Sequence, residues 1–151
     1  MTGSLREQLL GAWSLVSYVE RPVEGGADLH PMGQEPRGII LYTHDGYMSA
    51  QLMAPGRPEF ASGDWFTGSD EEFRAESSGY IAYSGPFHVD EERGALTHTM
   101  SVSLYPNWIG QTQPRVVHLE GDTLHLSTAS PIRSGGRLVH AHVTWRRAAP
   151  N

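Results

Sequence analysis

What most constrains the fold of this chain is the way its connections alternate in length. Eight segments read as β-strands from period-two alternation and β-forming residues: 13–20, 38–43, 47–53, 80–89, 95–105, 115–120, 123–129 and 137–147. The first, third, fifth and seventh connections are long loops, at 21–37, 54–79, 106–113 and 130–136. The second, fourth and sixth are tight turns, at 44–46, 90–94 and 121–122. In an up-and-down antiparallel barrel, successive connections fall at opposite ends. The pattern therefore predicts an all-β, eight-stranded up-and-down antiparallel barrel, closed by turns at one end and ringed by loops at the other.

Two short helices fit beside the strands. Ser4 with Glu7, and Ser69 with Glu72, have capping-box spacing. They predict helices over Leu5–Leu10 at the N-terminus and from Ser69 to about Glu76 in the 54–79 connection. Pro86 marks its strand as edge-like or bulged. No internal repeat or linker divides the chain, so one domain over 1–151 is expected.

The chain has a formal charge of −6 and a pI near 5.7, which argues against nucleic acid or an anionic membrane as its partner. All 11 basic residues are arginine, and cysteine is absent. There is accordingly no disulfide, thiol nucleophile or cysteine-bound metal to expect. The first residues, MTGSLREQLLG, lack the apolar core of a signal peptide, and no segment is long and apolar enough to span a bilayer. A cytoplasmic location is the expectation. Phosphate-binding glycine loops, dinucleotide fingerprints, nucleophile elbows and strand-borne carboxylate pairs are missing, and no cofactor is expected.

Gly11-Ala12-Trp13 on the first strand resembles the G-x-W signature of lipocalins, and Trp145-Arg146-Arg147 resembles the terminal arginine that packs across that tryptophan. The ordered segments LLGAWSLVSY, PRGIILYTHDGYMSAQLM, GYIAYSGPFHVD, PNWIGQTQPR and TWRR are similar to the bacterial and fungal lipocalin-like domain family. The resemblance implies a ligand-enclosing barrel and leaves the ligand open. It departs from secreted lipocalins in having no cysteine.

Alternation assigns the inward faces. The long strand 95–105 would point Leu96, His98, Met100, Val102 and Leu104 inward. Its neighbours would add Tyr83, Phe87, Arg115, Val117 and Leu126, with Asn107 and Trp108 at the rim. Tyr83, His98 and Arg115 are then the polar exceptions in an apolar interior, the make-up of a small-molecule site. Arg115 can anchor a carbonyl, enolate or carboxylate oxygen. His98 can bond a ligand, pass a proton as general acid or base, or be a core histidine bonded to a neighbour. Tyr83 can orient a carbonyl or simply pack.

The predicted function is binding of a small, mainly apolar metabolite with an oxygenated group. The alternatives are a cofactor-independent cyclase or isomerase acting on a secondary metabolite such as a polyketide, with His98, Tyr83 and Arg115 as its catalytic residues, and a protein-interaction module. His118, His125, His140 and His142 fall on outward faces, where they suit a pH-sensitive surface or a homodimer contact better than a metal site, and no metal ligand set is assigned.

Overall fold

The computed structural model of the protein describes residues 3–151. In chain order its elements are α1 (Leu5–Leu9), β1 (Gly11–Pro22), β2 (Arg37–Tyr42), β3 (Tyr47–Met53), α2 (Asp70–Ser78), β4 (Tyr80–Asp90), β5 (Ala95–Thr99), β6 (Val102–Ser103), β7 (Thr112–Glu120), β8 (Thr123–Thr128), β9 (Ile132–Ser134) and β10 (Arg137–Arg147). Eight of these strands close an antiparallel barrel in the order β1-β2-β3-β4-β5-β7-β8-β10, with β10 pairing back to β1. The short β6 attaches to β4, and β9 forms a hairpin with β10.

The turn-closed end is built around α1. Ser4 caps it by accepting from the Glu7 amide at 3.1 Å, and the Glu91 carboxyl accepts from the Leu5 and Arg6 amides at 2.8 and 3.1 Å. These bonds satisfy N–H groups that a helix start leaves free. Leu9 is then driven into the barrel, and its carbonyl accepts from Trp13 Nε1 at 2.9 Å. The arginine that covers Trp13 is Arg147, not Arg146: its guanidinium lies 3.9 Å from the indole centroid and donates to the carbonyls of Leu10 and Gln8. Arg146, the neighbouring residue on the opposite face of the strand, is exposed. Gly11 has φ +110°, and a Cβ there would meet Arg147 at 3.3 Å, so the first residue of the G-x-W pattern has both a conformational and a steric reason.

Two strands depart from uniform alternation. In β1 the pairing with β10 slips between Leu15 and Ser17, leaving Val16 as the extra, exposed residue of a bulge. Trp13 and Leu15 face inward before it, whereas Tyr18 and Glu20 face inward after it, in place of Ser17 and Val19, which unbroken alternation from Trp13 would turn inward. The expected strand 95–105 is likewise broken. Phe87 pairs with His98, but Ser84 pairs with Val102, so the register advances by one residue at Gly85–Pro86. The Met100 amide turns to the Gln111 carbonyl instead. It is a bulge whose extra residue lies within Thr99–Ser101, opposite Gly85 and Pro86, whereas β4, the strand marked by Pro86, keeps an unbroken register with β3. The bulge corrects the expected inward row: Met100 is buried, but Val102 is turned outward and is 62% exposed.

Candidate functional site

At the loop end, the strands enclose a chamber of about 40 Å³. Its walls are mainly apolar, from Ile40, Leu52, Ile81, Leu126, Ala141 and Val143, with Tyr18, Tyr83, Arg115 and Trp145 among them. Two wider grooves lie outside it, of about 480 and 370 Å³. Trp108 and Ile132 border all three spaces and form the partition between them. Pockets for drug-sized ligands run from roughly 300 to 1,000 Å³. A ligand of that size therefore needs Trp108 displaced, joining the chamber to a groove. Trp108 is held by edge contacts with Tyr83 and Tyr105, at ring distances of 6.0 and 5.4 Å. The 21–37 connection also crosses the mouth: Leu29 bridges to Glu20, and Met32 is buried beside the larger groove.

Arg115 reaches the chamber from β7. Nη2 donates to Gln113 Oε1 at 3.0 Å and Nη1 to the Pro114 carbonyl at 3.3 Å. It has no acidic partner within ion-pair distance among the described residues. A guanidinium carries five donors, so this one keeps capacity for a ligand oxygen. Trp145 adds a second donor, since it lines the chamber and its buried Nε1–H has no partner among the described residues.

On β1, the Tyr18 hydroxyl donates to Glu20 Oε2 at 2.8 Å. Burial, reinforced by the adjacent Glu20 carboxyl, pushes the Tyr18 phenol well above its usual range, so it keeps its proton. Glu20 is 4% exposed and faces the larger groove. Sequence reasoning missed this pair because the bulge at Val16 changes the phase of the strand. The only trace of it is that Trp13 and Tyr18, both large aromatics, lie an odd number of residues apart.

His98 lies deeper than the chamber and does not line it. It is 0% exposed, with Nε2 2.8 Å from the Tyr42 hydroxyl and its ring 5.9 Å from Tyr83. Burial, and secondarily the Arg115 charge, hold its imidazole well below the usual histidine range and therefore neutral. Its position is that of a core histidine bonded to a neighbour. Phe87 packs edge-on against Tyr42 at 4.9 Å, towards the closed end, and Val117 packs against the core. Leu126 lines the chamber, Leu104 the larger groove and Asn107 the smaller one. Thus Tyr83, Arg115, Leu126 and Trp108 come together around one cavity, while His98, Met100, Phe87 and Val102 do not join them.

The outward histidines spread over the wall. His118 and His125 stack at 5.9 Å, His125 Nδ1 lies 3.0 Å from Thr144 Oγ1, and His140 Nδ1 donates to the Thr128 carbonyl at 3.1 Å. Among the described residues, no three histidine or acidic side chains converge as metal ligands.

A barrel with its tryptophan–arginine closure at one end and a loop-ringed cavity at the other agrees with the family match, in which a lipocalin-like domain model covers residues 10–148. The chain belongs to the lipocalin-like domain family. Among proteins of known role, it is 42% identical over 106 residues to the 4'-hydroxy-3'-methoxypropiophenone carrier protein ppsC of Aspergillus oryzae (strain ATCC 42149 / RIB 40). That match covers 66% of this chain and 96% of the fungal protein. No solved structure matches this lipocalin-like chain.

Proposed function

We propose that the protein is a carrier that holds a small, mainly apolar metabolite at the loop end of its barrel and grips an oxygenated group through Arg115. The observation that carries this reading is a guanidinium without an acidic partner among the described residues, placed in an otherwise apolar chamber. Such a group favours an acceptor oxygen on a flat or aliphatic body. The cargo named for the Aspergillus oryzae relative is an aryl ketone, which has that composition, and supports small aryl ketones as the ligand class here. The buried, neutral His98 suits a core role in a carrier better than proton transfer to a ligand.

Isothermal titration with 4'-hydroxy-3'-methoxypropiophenone tests the proposal. Wild type should bind one equivalent. Arg115→Met should weaken binding by about 10- to 100-fold, the effect of losing a hydrogen bond from a charged donor. Mass spectrometry of the recovered ligand should show it unchanged, whereas a cyclase or isomerase would return an altered compound. Binding that is absent, or indifferent to Arg115→Met, would refute the carrier reading in this form.

A further inference from the structure

One rung of the barrel carries an ionisable side chain at each of its ends. Glu20 on β1 pairs with Ala141 on β10. The Ala141 amide donates to Thr128 Oγ1 on β8 at 3.1 Å, and Thr128 pairs with Arg115 on β7. These four strands are consecutive neighbours around the barrel. A carboxyl and a guanidinium thus stand at the two ends of a rung whose middle positions are the small residues Ala141 and Thr128. Three inter-strand steps separate their backbones by roughly 14 Å along the wall. Arg115 borders the chamber and Glu20 the larger groove, so a ligand that reaches both has to span the two spaces. Tyr18 borders both the chamber and the larger groove, so the polar pair sits where the two spaces meet.

The chemistry of the two ends is opposite. Arg115 and the Trp145 N–H, which has no partner among the described residues, offer only donors. At the other end Glu20 offers acceptors, one oxygen being used by Tyr18 and the other open to a ligand, with no basic side chain within ion-pair distance among the described residues.

We propose that the site selects ligands with an acceptor oxygen at one end and a hydrogen-bond donor at the other, the para-hydroxyaryl ketones, with the carbonyl on Arg115 and the phenolic hydroxyl on Glu20. This rests on the carrier reading and adds the second anchor and the ligand's orientation. Tyr18 is the positioning residue: its hydroxyl holds one carboxyl oxygen and so aims the other.

The test compares three probes, 4'-hydroxypropiophenone, 4'-methoxypropiophenone and propiophenone, by titration against wild type, Glu20→Gln and Arg115→Met. Wild type should bind the hydroxy compound about tenfold or more tighter than the other two, the order of one charge-assisted hydrogen bond. Glu20→Gln keeps the side-chain size but has a single acceptor oxygen, which Tyr18 engages, so the preference should fall below roughly threefold. Arg115→Met should weaken all three probes by a similar factor.

Equal affinity of wild type for the three probes, with Arg115→Met still weakening each, would overturn the second anchor and leave the carrier reading standing. A preference that survives intact in Glu20→Gln would also overturn it. Failure of all three to bind would remove both readings together. The wild-type preference needs no variant, so a poorly folding Glu20→Gln does not shelter the proposal.

Discussion

His98 shows how one side chain's surroundings set its chemistry. Between them, the His98 imidazole and the Tyr42 hydroxyl carry two polar hydrogens and share one hydrogen bond, and His98 Nδ1 has no other partner among the described residues. Protonating that ring would place a charge in a fully buried site and near the Arg115 guanidinium, and burial first, then that charge, hold its folded pKa well below the usual 6.5. The unfolded chain therefore takes up the proton first. Stability should be fully present above about pH 6.5 and should fall with acidification, by at most about 1.4 kcal/mol per pH unit, until the folded pKa is reached. His142 shifts in the same direction, through partial burial and then the Arg21 charge. Urea denaturation between pH 7.5 and 5 should show a steeper decline for wild type and His142→Gln than for His98→Gln. Equal slopes in wild type and His98→Gln would contradict the buried neutral imidazole. At this scale the inward placement of Tyr83 and Arg115 was legible in the sequence, because β4 and β7 keep their alternation up to those positions, and Trp108 at the rim followed from its place in the 106–113 connection. Tyr18 and Glu20 were not, because the phase of β1 depends on a bulge that is fixed by pairing with a strand more than a hundred residues away.

The elements show where alternation alone fails. From Leu96 to Met100 the inward row reads correctly, since β5 pairs normally with β4 and β7. Beyond Met100 the chain changes register, and a one-residue slip exchanges the two faces. Gly85 is the residue that permits the change: a Cβ there would stand 1.9 Å from the Thr99 carbonyl oxygen. Gly85→Ala must push β4 and β5 apart, at a cost on the order of 3 kcal/mol, lowering Tm by roughly 6–12 °C. Differential scanning calorimetry measures this directly, and an unchanged Tm would show that the two strands are not in such close approach. The helices illustrate the opposite case. Both Ser caps were readable from local spacing, and α2 has its capping box complete, with Ser69 and Glu72 bonded both ways. That Glu91 also caps α1 was not readable, because the contact joins segments far apart in the chain.

At the scale of the molecule, the two ends of the barrel have separate tasks. One is filled by α1, Trp13 and Arg147 and fixes the fold. The other leaves a chamber partitioned from the outer grooves by Trp108 and Ile132, with the connection carrying Met32 beside the larger groove. The division was legible from connection lengths, since antiparallel strands must send alternate connections to opposite ends. The folding of Met32 into the mouth and the β9 hairpin within 130–136 were not, as loops carry no period to read. The four tryptophans sample these regions separately: Trp13 at the closed end, Trp65 on an exposed loop, Trp108 at the partition and Trp145 in the chamber wall. The most direct measurement of the central claim is a ¹⁵N-correlated NMR titration of the indole N–H groups with 4'-hydroxy-3'-methoxypropiophenone. A ligand in the loop-end chamber should shift the Trp108 and Trp145 resonances and leave those of Trp13 and Trp65 in place. Shifts confined to Trp65 or Trp13, or none at saturating ligand, would contradict a binding site inside the barrel.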